Sequence, residues 1–547
     1  MKWRINLVFF FLILFFLALL GRLFFIQVLD NDFYKALAQG LISSPNETQA
    51  ERGEVFLKNG ESLARNKNWP LVFASPPKVT EIEETAKTLS EILNLPEDLI
   101  LEKLKKDTLY SPIKNKLTQE EMEKIKKSNL AGIYLAEERL RYYPQETLAS
   151  QVIGFLDANR QGQYGLEEYY DEILRGTSQG ADLILTIDYD IQFRAERLLE
   201  AAKENLDIES GQIIVIDPNS GKILALANFP NFNPNQYQEY ANEEKSEIFQ
   251  NSITQKIFEP GSVFKPITFA AALNEGKITP QTTYIDKGQV QIEGWPKPIY
   301  NYDERVYGEQ TMTNVLEKSI NTGAVFVEKL LPHNVFLDYI NRFGIFESTG
   351  IDLRETCPEN KEFKQGREIN FATASYGQGI ELTPIQLVRA YSAIANGGKL
   401  IKPYIVENPP PLLNSFGETL TENDQSKSGG RQIISQKTAS QLTAMLVSVV
   451  ENGFAKAARI PGYYIAGKTG TAQISFSALG LDKKGYSDKT WQTFVGFAPA
   501  FNPQFLILIK LDNPKTRTAE YSAVPIFHDL AEYIIHYYQI PPDYEPS

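Results

Sequence analysis

Residues 211–228 have the sequence GQIIVIDPNSGKILALAN, in which two apolar runs flank the turn-forming residues Pro-Asn-Ser-Gly. Such runs, bounded by turn residues, predict two strands joined as a hairpin. A second strand–turn–strand pattern lies near the C-terminus, with TFVGFAPA at 493–500 and QFLILIKLDN at 504–513. Because hairpins pair their strands antiparallel, the sheet is predicted to be at least partly antiparallel.

Helical patterns lie between and after these hairpins. They cover residues 262–273, 385–395, 435–450 and 524–538. Strand pairs towards both ends of a region with helices between them favour the α+β class over a doubly wound parallel sheet. The Pro-, Gly- and polar-rich segment 407–434 is predicted to be a surface loop.

The composition excludes several classes of protein. A chain of 547 residues suggests two to four domains, and its formal net charge of −13 argues against nucleic acid as a partner. One cysteine, Cys357, cannot form an intramolecular disulfide. The three histidines lie far apart without Cys or His neighbours at ligand spacing, so we expect no metal site and no cofactor.

The N-terminus predicts a membrane anchor. Residues 5–26 have the sequence INLVFFFLILFFLALLGRLFFI, which as a helix would be about 33 Å long, one hydrocarbon thickness. A cleaved signal peptide is the alternative, but the small-residue site at 36–38 lies well past the apolar run. Lys2 and Arg4 precede the run and acidic residues follow it, so the N-terminus is predicted to be cytoplasmic and the rest extracytoplasmic.

Changes in composition along the chain predict three parts. Residues 1–28 are the cytoplasmic tip and single transmembrane anchor. Residues 29–180 form an accessory pedestal, which includes two short helices separated by Pro96. Residues 181–547, from the apolar strand ADLILTID onward, form the large α+β domain.

The segment Pro260-Gly261-Ser262-Val263-Phe264-Lys265-Pro266 combines a chain break with the start of a helical pattern. Ser262 and Lys265 are three residues apart and therefore project from one face. The helix N-terminus favours a developing oxyanion, and the lysine could accept the serine proton if its pKa were lowered. Alone, the motif also fits an N-cap serine followed by a solvated lysine.

Two further motifs are weak when taken singly. Ser319-Ile320-Asn321 lies between two helical segments, where a hydroxyl and an amide could point into one cleft, although turns prefer both residues anyway. Lys468-Thr469-Gly470-Thr471 follows an apolar run and indicates a strand whose backbone is closely approached. The segment 462–469 also matches the phosphate-binding pattern G-x-x-x-x-G-K-[ST], but bulky β-forming residues and Gly470 do not suit that loop.

The order of the three motifs is more specific than any one of them. S-x-x-K, S-x-N and K-T-G in this order closely match the signature of penicillin-binding proteins and class A β-lactamases. With GLEEYYDEILRG at 165–176, SYGQGIELTPIQLVRAYSAIANGG at 375–398 and ARIPGYYIAGKTGTAQ at 458–473, the chain closely resembles a class B penicillin-binding protein. The resemblance spans nearly the whole chain after the anchor and departs from the family in the pedestal, at Leu57-Lys58.

The resemblance implies a role for each motif residue. Ser262 would attack the penultimate D-Ala carbonyl of a peptidoglycan stem peptide, and Lys265 would be its base. Ser319 would pass the proton to the leaving amine, and Asn321 would orient Lys265 and the substrate. Lys468, Thr469, Gly470 and Thr471 would bind the terminal carboxylate and the reacting carbonyl, with an oxyanion hole at the N–H groups of Ser262 and Thr471. Penicillin and other β-lactams would acylate the same serine.

Several alternatives stay open at this stage. A β-lactamase or penicillin sensor, a D,D-carboxypeptidase and an inactive cell-wall scaffold would all carry related motifs. The sequence around Ser262 and Ser319 resembles division enzymes more than elongation enzymes. A polytopic glycosyltransferase of the septal family would then be the membrane partner.

Overall fold

The computed structural model describes residues 2–43, 51–176, 179–241, 246–407 and 430–545. They divide into two compact units. The first unit comprises Met1–Gly53, Arg65–Tyr142 and Arg175–Gly180, and the second comprises Glu54–Ala64, Tyr143–Leu174 and Ala181–Ser547. Residues 143–174 are thus grouped with the second unit, whereas the boundaries at residues 28 and 180 stay predictions.

The apolar N-terminal run forms helix α1 (Lys2–Phe24), which continues as a π-helical turn over Phe25–Leu29. None of the residues of either segment is buried. In the described part of the chain, this is the one helix long and apolar enough to cross a membrane. It coincides with the predicted span and is a candidate anchor. Helix α2 (Asn31–Ser43) follows it.

The first unit contains a small antiparallel sheet covered by helices. The first four strands among the described residues are β1 (Val55–Phe56), β2 (Ser62–Ala74), β3 (Ser111–Asn115) and β4 (Ile133–Tyr142). In this unit β2 pairs antiparallel with β3 and β4. The helices are α3 (Ile82–Leu93), α4 (Glu97–Leu104) and α5 (Gln119–Ser128). Their apolar stripes bury Leu89, Leu93, Ile100 and Leu104 together with Val72. The two short helices predicted on either side of Pro96 are confirmed.

Most of the regular structure lies in the second unit. The remaining helices are α6 (Ser150–Ile153), α7 (Gly165–Tyr169), α8 (Asp171–Arg175), α9 (Tyr189–Leu206), α10 (Ser252–Gln255), α11 (Lys265–Asn274), α12 (Met312–Glu317), α13 (Asn321–Lys329), α14 (His333–Arg342), α15 (Glu368–Ala374), α16 (Pro384–Ala395), α17 (Gln436–Glu451) and α18 (Ala523–Tyr537). The remaining strands are β5 (Phe155–Leu156), β6 (Gly162–Gln163), β7 (Leu183–Leu185), β8 (Ser210–Ile216), β9 (Ile223–Phe229), β10 (Thr283–Asp286), β11 (Gln289–Val290), β12 (Ile299–Tyr300), β13 (Gly308–Thr311), β14 (Lys399–Leu400), β15 (Val406–Glu407), β16 (Arg431–Gln432), β17 (Ala466–Ser475), β18 (Tyr486–Ala498) and β19 (Phe505–Asp512).

A five-stranded sheet in the order β17-β18-β19-β8-β9 forms the centre of the second unit. Every neighbouring pair in it is antiparallel, so both predicted hairpins and the α+β class are confirmed. The central strand β19 is buried at all but its last residue. Because successive side chains point to opposite faces, this burial means that both faces of the sheet are covered. Helices α9 and α18 contact each other and the sheet, and α17 contacts both α11 and α16.

Two predicted elements differ in detail from the structure. The strand predicted at 181–188 is limited to β7, which pairs with β1 and β15 rather than with the central sheet. The helix predicted from residue 262 begins instead as a 3-10 turn over Gly261–Phe264, and α11 follows directly. Residues 408–429 of the predicted surface loop lie outside the described residues.

Candidate active site

Ser262 lies in the 3-10 turn that leads into α11. Gly261 has φ +59°, and its N–H donates to the carbonyl oxygen of Gly377 at 2.9 Å, which fixes the chain just before the serine. In a 3-10 turn, side chains three residues apart lie directly above one another. Lys265 therefore sits beside Ser262, with Nζ 3.0 Å from Oγ. The sequence predicted this pairing from an α-helical spacing, and the tighter turn achieves it.

Within the described part of the chain, the Nζ atom of Lys265 has four polar neighbours. Besides Oγ of Ser262, it lies 2.6 Å from the carbonyl oxygen of Ser319, 3.1 Å from Oγ of Ser319 and 2.9 Å from Oδ1 of Asn321. The side chain is completely buried. Burial and the neighbouring charge of Lys468 together hold the pKa of Lys265 well below its usual value, so its amine loses a proton more easily than that of an exposed lysine.

The hydrogen bonds of Lys265 determine where its lone pair points. A neutral amine has two N–H groups and one lone pair. The carbonyl oxygen of Ser319 and Oδ1 of Asn321 can only accept, so the two N–H groups are directed to them. The lone pair is then left to face the serine hydroxyls, including that of Ser262 at 3.0 Å. This geometry suits a base that takes the proton of Ser262.

Ser319 bridges the two buried lysines of the site. Its Oγ lies 3.1 Å from Nζ of Lys265 and 3.0 Å from Nζ of Lys468. The residue has φ +52°, a left-handed conformation that a non-glycine residue adopts at some cost and that is often found at functional sites. A continuous line of polar atoms thus runs from Ser262 through Lys265 and Ser319 to Lys468.

Lys468 is on strand β17, with its side chain completely buried. Nζ donates to the carbonyl oxygen of Thr469 at 3.0 Å and to Oγ of Ser319. Burial lowers the pKa of Lys468 to about 7. A group with that pKa exchanges a proton easily near neutral pH, which suits a relay next to a reacting serine.

The other residues of the third motif line the edge of the sheet next to the serine. Strand β17 contacts the turn that carries Ser262. A side chain at Gly470 would place its Cβ 3.1 Å from the carbonyl oxygen of Pro260, so the glycine permits this approach. Thr469 is nearly buried, whereas Thr471 is partly exposed and its Oγ1 accepts from the N–H of Ala519 at 3.1 Å.

The structure also argues against a phosphate-binding loop at 462–469. Such a loop leads into a helix whose N-terminus holds the phosphates. Here Lys468 and Thr469 lie inside β17, which continues as a strand to Ser475. The formal match to the nucleotide-binding pattern therefore does not have the required context.

Asn321, the first residue of α13, has a partner that no sequence motif contains. Its Nδ2 donates to the carbonyl oxygen of Tyr300 at 3.1 Å, while its Oδ1 faces Lys265. A main-chain carbonyl has no signature in the sequence, so sequence reasoning missed this contact. The structure thus brings Ser262, Lys265, Ser319, Asn321 and Lys468 into one hydrogen-bonded cluster.

The depressed pKa of Lys468 predicts how stability depends on pH when the residue is replaced by methionine. The folded-state pKa is about 7, whereas a lysine in the unfolded chain titrates near 10.4. Between these values the unfolded chain binds more protons, so wild-type stability gains a contribution that rises with pH. Methionine does not titrate. We therefore expect the free energy of unfolding of Lys468→Met, relative to wild type, to fall steadily from pH 7 to pH 10.

Denaturant unfolding of both proteins at several pH values in this range measures the difference. The exposed Lys437, replaced by methionine, reports the effect of the same substitution outside a buried site. A difference between Lys468→Met and wild type that stays constant with pH would contradict the prediction.

A family model described as the penicillin binding protein transpeptidase domain matches residues 211–532. A second, the penicillin-binding protein dimerisation domain, matches residues 47–186. The chain belongs to the class B penicillin-binding protein family. The resemblance drawn from the three motifs is confirmed at the level of the family.

Relatives and solved structures agree with this assignment. The chain is 32% identical to stage V sporulation protein D of Bacillus subtilis over 94% of its own length and 82% of the relative's. It is 30% identical to a peptidoglycan D,D-transpeptidase FtsI homolog of Mesostigma viride, covering 96% and 94% of the two chains. Penicillin binding protein 3 of Mycobacterium tuberculosis, complexed with ampicillin, matches at a TM-score of 0.69 and 26% identity, covering 91% of this chain and 98% of that one.

Proposed function

We propose that this class B penicillin-binding protein is a serine D,D-transpeptidase that cross-links peptidoglycan stem peptides. The single observation that carries the proposal is the cluster in which Nζ of the completely buried Lys265 lies 3.0 Å from Oγ of Ser262, with the pKa of that lysine lowered by burial. Named peptidoglycan D,D-transpeptidases among the relatives support the same reaction.

The reaction proceeds in two steps. Oγ of Ser262 attacks the penultimate D-Ala carbonyl and gives its proton to Lys265. The C–N bond of the terminal peptide then breaks, and the leaving amine takes a proton through Ser319, which lies between the two lysines. The ester on Ser262 is attacked by an amine of a neighbouring stem. An amide forms, and the serine recovers its proton.

Recognition of the donor peptide is assigned to β17. Lys468, Thr469, Gly470 and Thr471 hold the terminal carboxylate and the reacting carbonyl. The backbone N–H groups of Ser262 and Thr471 form the oxyanion hole, where fixed donors stabilise charge that develops in the transition state. β-Lactams occupy the same place and acylate Ser262, in keeping with the relative from M. tuberculosis that was solved with ampicillin.

We assign the protein to the division septum rather than to elongation. This follows the resemblance around Ser262 and Ser319 and the FtsI-type name of one relative. A polytopic glycosyltransferase of the septal family is the proposed membrane partner, contacting the anchor and the pedestal.

The proposed location is the cell membrane, with the N-terminus in the cytoplasm. Lys2 and Arg4 lie before the apolar residues of α1, and Asp30 and Asp32 follow it, as the positive-inside rule requires for this orientation. Residues 1–28 are then the anchor, 29–180 the pedestal and 181–547 the extracytoplasmic catalytic domain.

Time-resolved intact mass spectrometry with benzylpenicillin tests the function. The full chain in mild detergent should gain one penicilloyl group on Ser262, and the adduct should persist for many minutes. Ser262→Ala should gain none. Ser252→Ala, in the helix α10 outside the cluster, is the matched control and should behave as wild type.

Other outcomes would support the alternatives. Rapid loss of the adduct with accumulating penicilloate would indicate a β-lactamase or a sensor that hydrolyses its ligand. Stable acylation without cross-linking of stem peptides, but with release of D-Ala, would indicate a carboxypeptidase. Absence of any adduct would indicate either a scaffold or an enzyme that needs its membrane partner for activity.

A further inference from the structure

A buried carboxylate that none of the three motifs contains lies behind the candidate active site. Asp286, the last residue of β10, is 2% exposed. Its two oxygens accept hydrogen bonds from the N–H of Gly288 at 3.1 Å and the N–H of Tyr307 at 2.8 Å. The carboxylate therefore binds both the beginning and the end of the loop between β10 and β13.

Two side chains connect the same carboxylate to residues next to the candidate active site. The Nδ2 of Asn301 lies 3.0 Å from each oxygen of Asp286. The hydroxyl of Thr322 donates to Oδ1 of Asp286 at 2.6 Å, and the N–H of Thr322 donates to Oδ1 of Asn301 at 3.1 Å. All three side chains are at least 95% buried. Burial alone would raise the pKa of Asp286, but these hydrogen bonds hold it below its usual value, so the carboxylate stays ionised.

The members of this network are chain neighbours of the groups that hold Asn321. Asn301 directly follows Tyr300, whose carbonyl oxygen accepts from Nδ2 of Asn321 at 3.1 Å. Thr322 directly follows Asn321 itself. Fixing Asn301 and Thr322 on one carboxylate therefore fixes both partners of the bond between Tyr300 and Asn321.

The orientation of that amide matters for Lys265. With Nδ2 bound to Tyr300, Asn321 presents Oδ1, an acceptor, to Nζ of Lys265 at 2.9 Å. In the flipped orientation it would present N–H donors, which would compete with the serine hydroxyl for the lysine lone pair. We propose that Asp286, acting through Asn301 and Thr322, is a positioning residue that keeps the amide oxygen of Asn321 directed at Lys265.

This inference rests on the proposed function for its kinetic test. The acylation rate of the full chain in detergent is measured with a fluorescent penicillin as a function of pH. In Asp286→Asn we expect the plateau rate to fall about 10- to 100-fold. On the acid side of the profile the rate falls as Lys265 becomes protonated, and the pH at half of the plateau rate, the midpoint, should be lower in Asp286→Asn. The reason is that a lysine that loses a hydrogen-bond acceptor for its charged form becomes less basic.

Asp352→Asn is the matched control. Asp352 is also buried and hydrogen-bonded, accepting from the N–H groups of Ile405 at 2.7 Å and Val406 at 3.0 Å. Among the described residues, none of the hydrogen bonds of its carboxylate reaches a motif residue. It should lower the melting temperature without moving the midpoint of the pH profile. An unchanged rate and midpoint in Asp286→Asn would overturn the inference.

Thr322 supplies a second test that does not depend on replacing the carboxylate. Thr322→Ser keeps the hydroxyl and should retain the wild-type rate, whereas the similarly shaped Thr322→Val should lose at least ten-fold. Equal rates in the two variants would contradict the role of the hydroxyl.

A measurement without penicillin separates this inference from the proposed function. Lysine-selective 13C NMR gives the pKa of Lys265 directly, and we expect it to fall in Asp286→Asn but not in Asp352→Asn. Failure of the wild type to form an adduct would overturn the proposed transpeptidase function. An unchanged pKa of Lys265 in Asp286→Asn would overturn the positioning role of Asp286.

Discussion

Replacing Lys265 with methionine is expected to lower the rate of penicillin acylation by about 1,000-fold, within the range that a positioned general base contributes. Methionine has a similar length and suits a buried position, so the loss is chemical rather than structural. Nζ of Lys265 lies 3.0 Å from Oγ of Ser262. Without this amine, the described cluster has no other group at that position to take the proton of Ser262. The measurement is the second-order acylation rate constant from intact mass or a fluorescent penicillin.

A second buried lysine provides the control. Lys510 on β19 is 5% exposed, and its Nζ donates to Oε1 of Gln212 at 3.0 Å. Burial lowers its pKa as well. Lys510→Met should change stability but leave acylation within about threefold of wild type. Retention of more than a tenth of the wild-type rate in Lys265→Met would show that Lys265 is not the base.

Replacing Gly377 with alanine is expected to lower both stability and acylation strongly. Gly377 has φ +83°, and a Cβ atom there would lie 2.1 Å from the carbonyl oxygen of Gly261. Both atoms in this clash are held by the backbone, so a rotamer change cannot relieve it. The segment that would have to move is the one that places Ser262. A displacement of about 1 Å at a reacting group costs on the order of 100-fold in rate.

The control for Gly377→Ala separates backbone strain from the clash. Gly366 has a similar φ of +70°, but a Cβ there would meet nothing within 4 Å. Gly366→Ala should therefore cost about 1–2 kcal/mol in unfolding free energy, the cost of a left-handed alanine, and leave acylation unchanged. Thermal unfolding and the acylation rate of both variants test this. Equal effects of the two substitutions would mean that the contact with Gly261 does not control the position of Ser262.

Local patterns in the sequence predicted the strands of the central sheet and several of the helices. The hairpins of β8 with β9 and of β18 with β19 follow from apolar runs around turn residues. The helices α16 and α17 begin within one residue of their predicted starts. These elements depend on side-chain periodicity and turn chemistry over a few residues, and such information is present in the sequence itself. Strand β7 is shorter than predicted because its length depends on distant partners, β1 and β15.

For the candidate site, too, the sequence determined some features and the tertiary structure determined the others. The sequence by itself determined which residue types occur and that Ser262 and Lys265 are three positions apart. It placed Ser319 and Lys468 in the same cluster only through a resemblance, since 149 positions separate them. Only the tertiary structure decided that both lysines are buried, which lowers their pKa values, and that Tyr300 and Asp286 lie behind Asn321. Burial and hydrogen bonding between distant segments depend on how the whole chain packs, and no short motif specifies them.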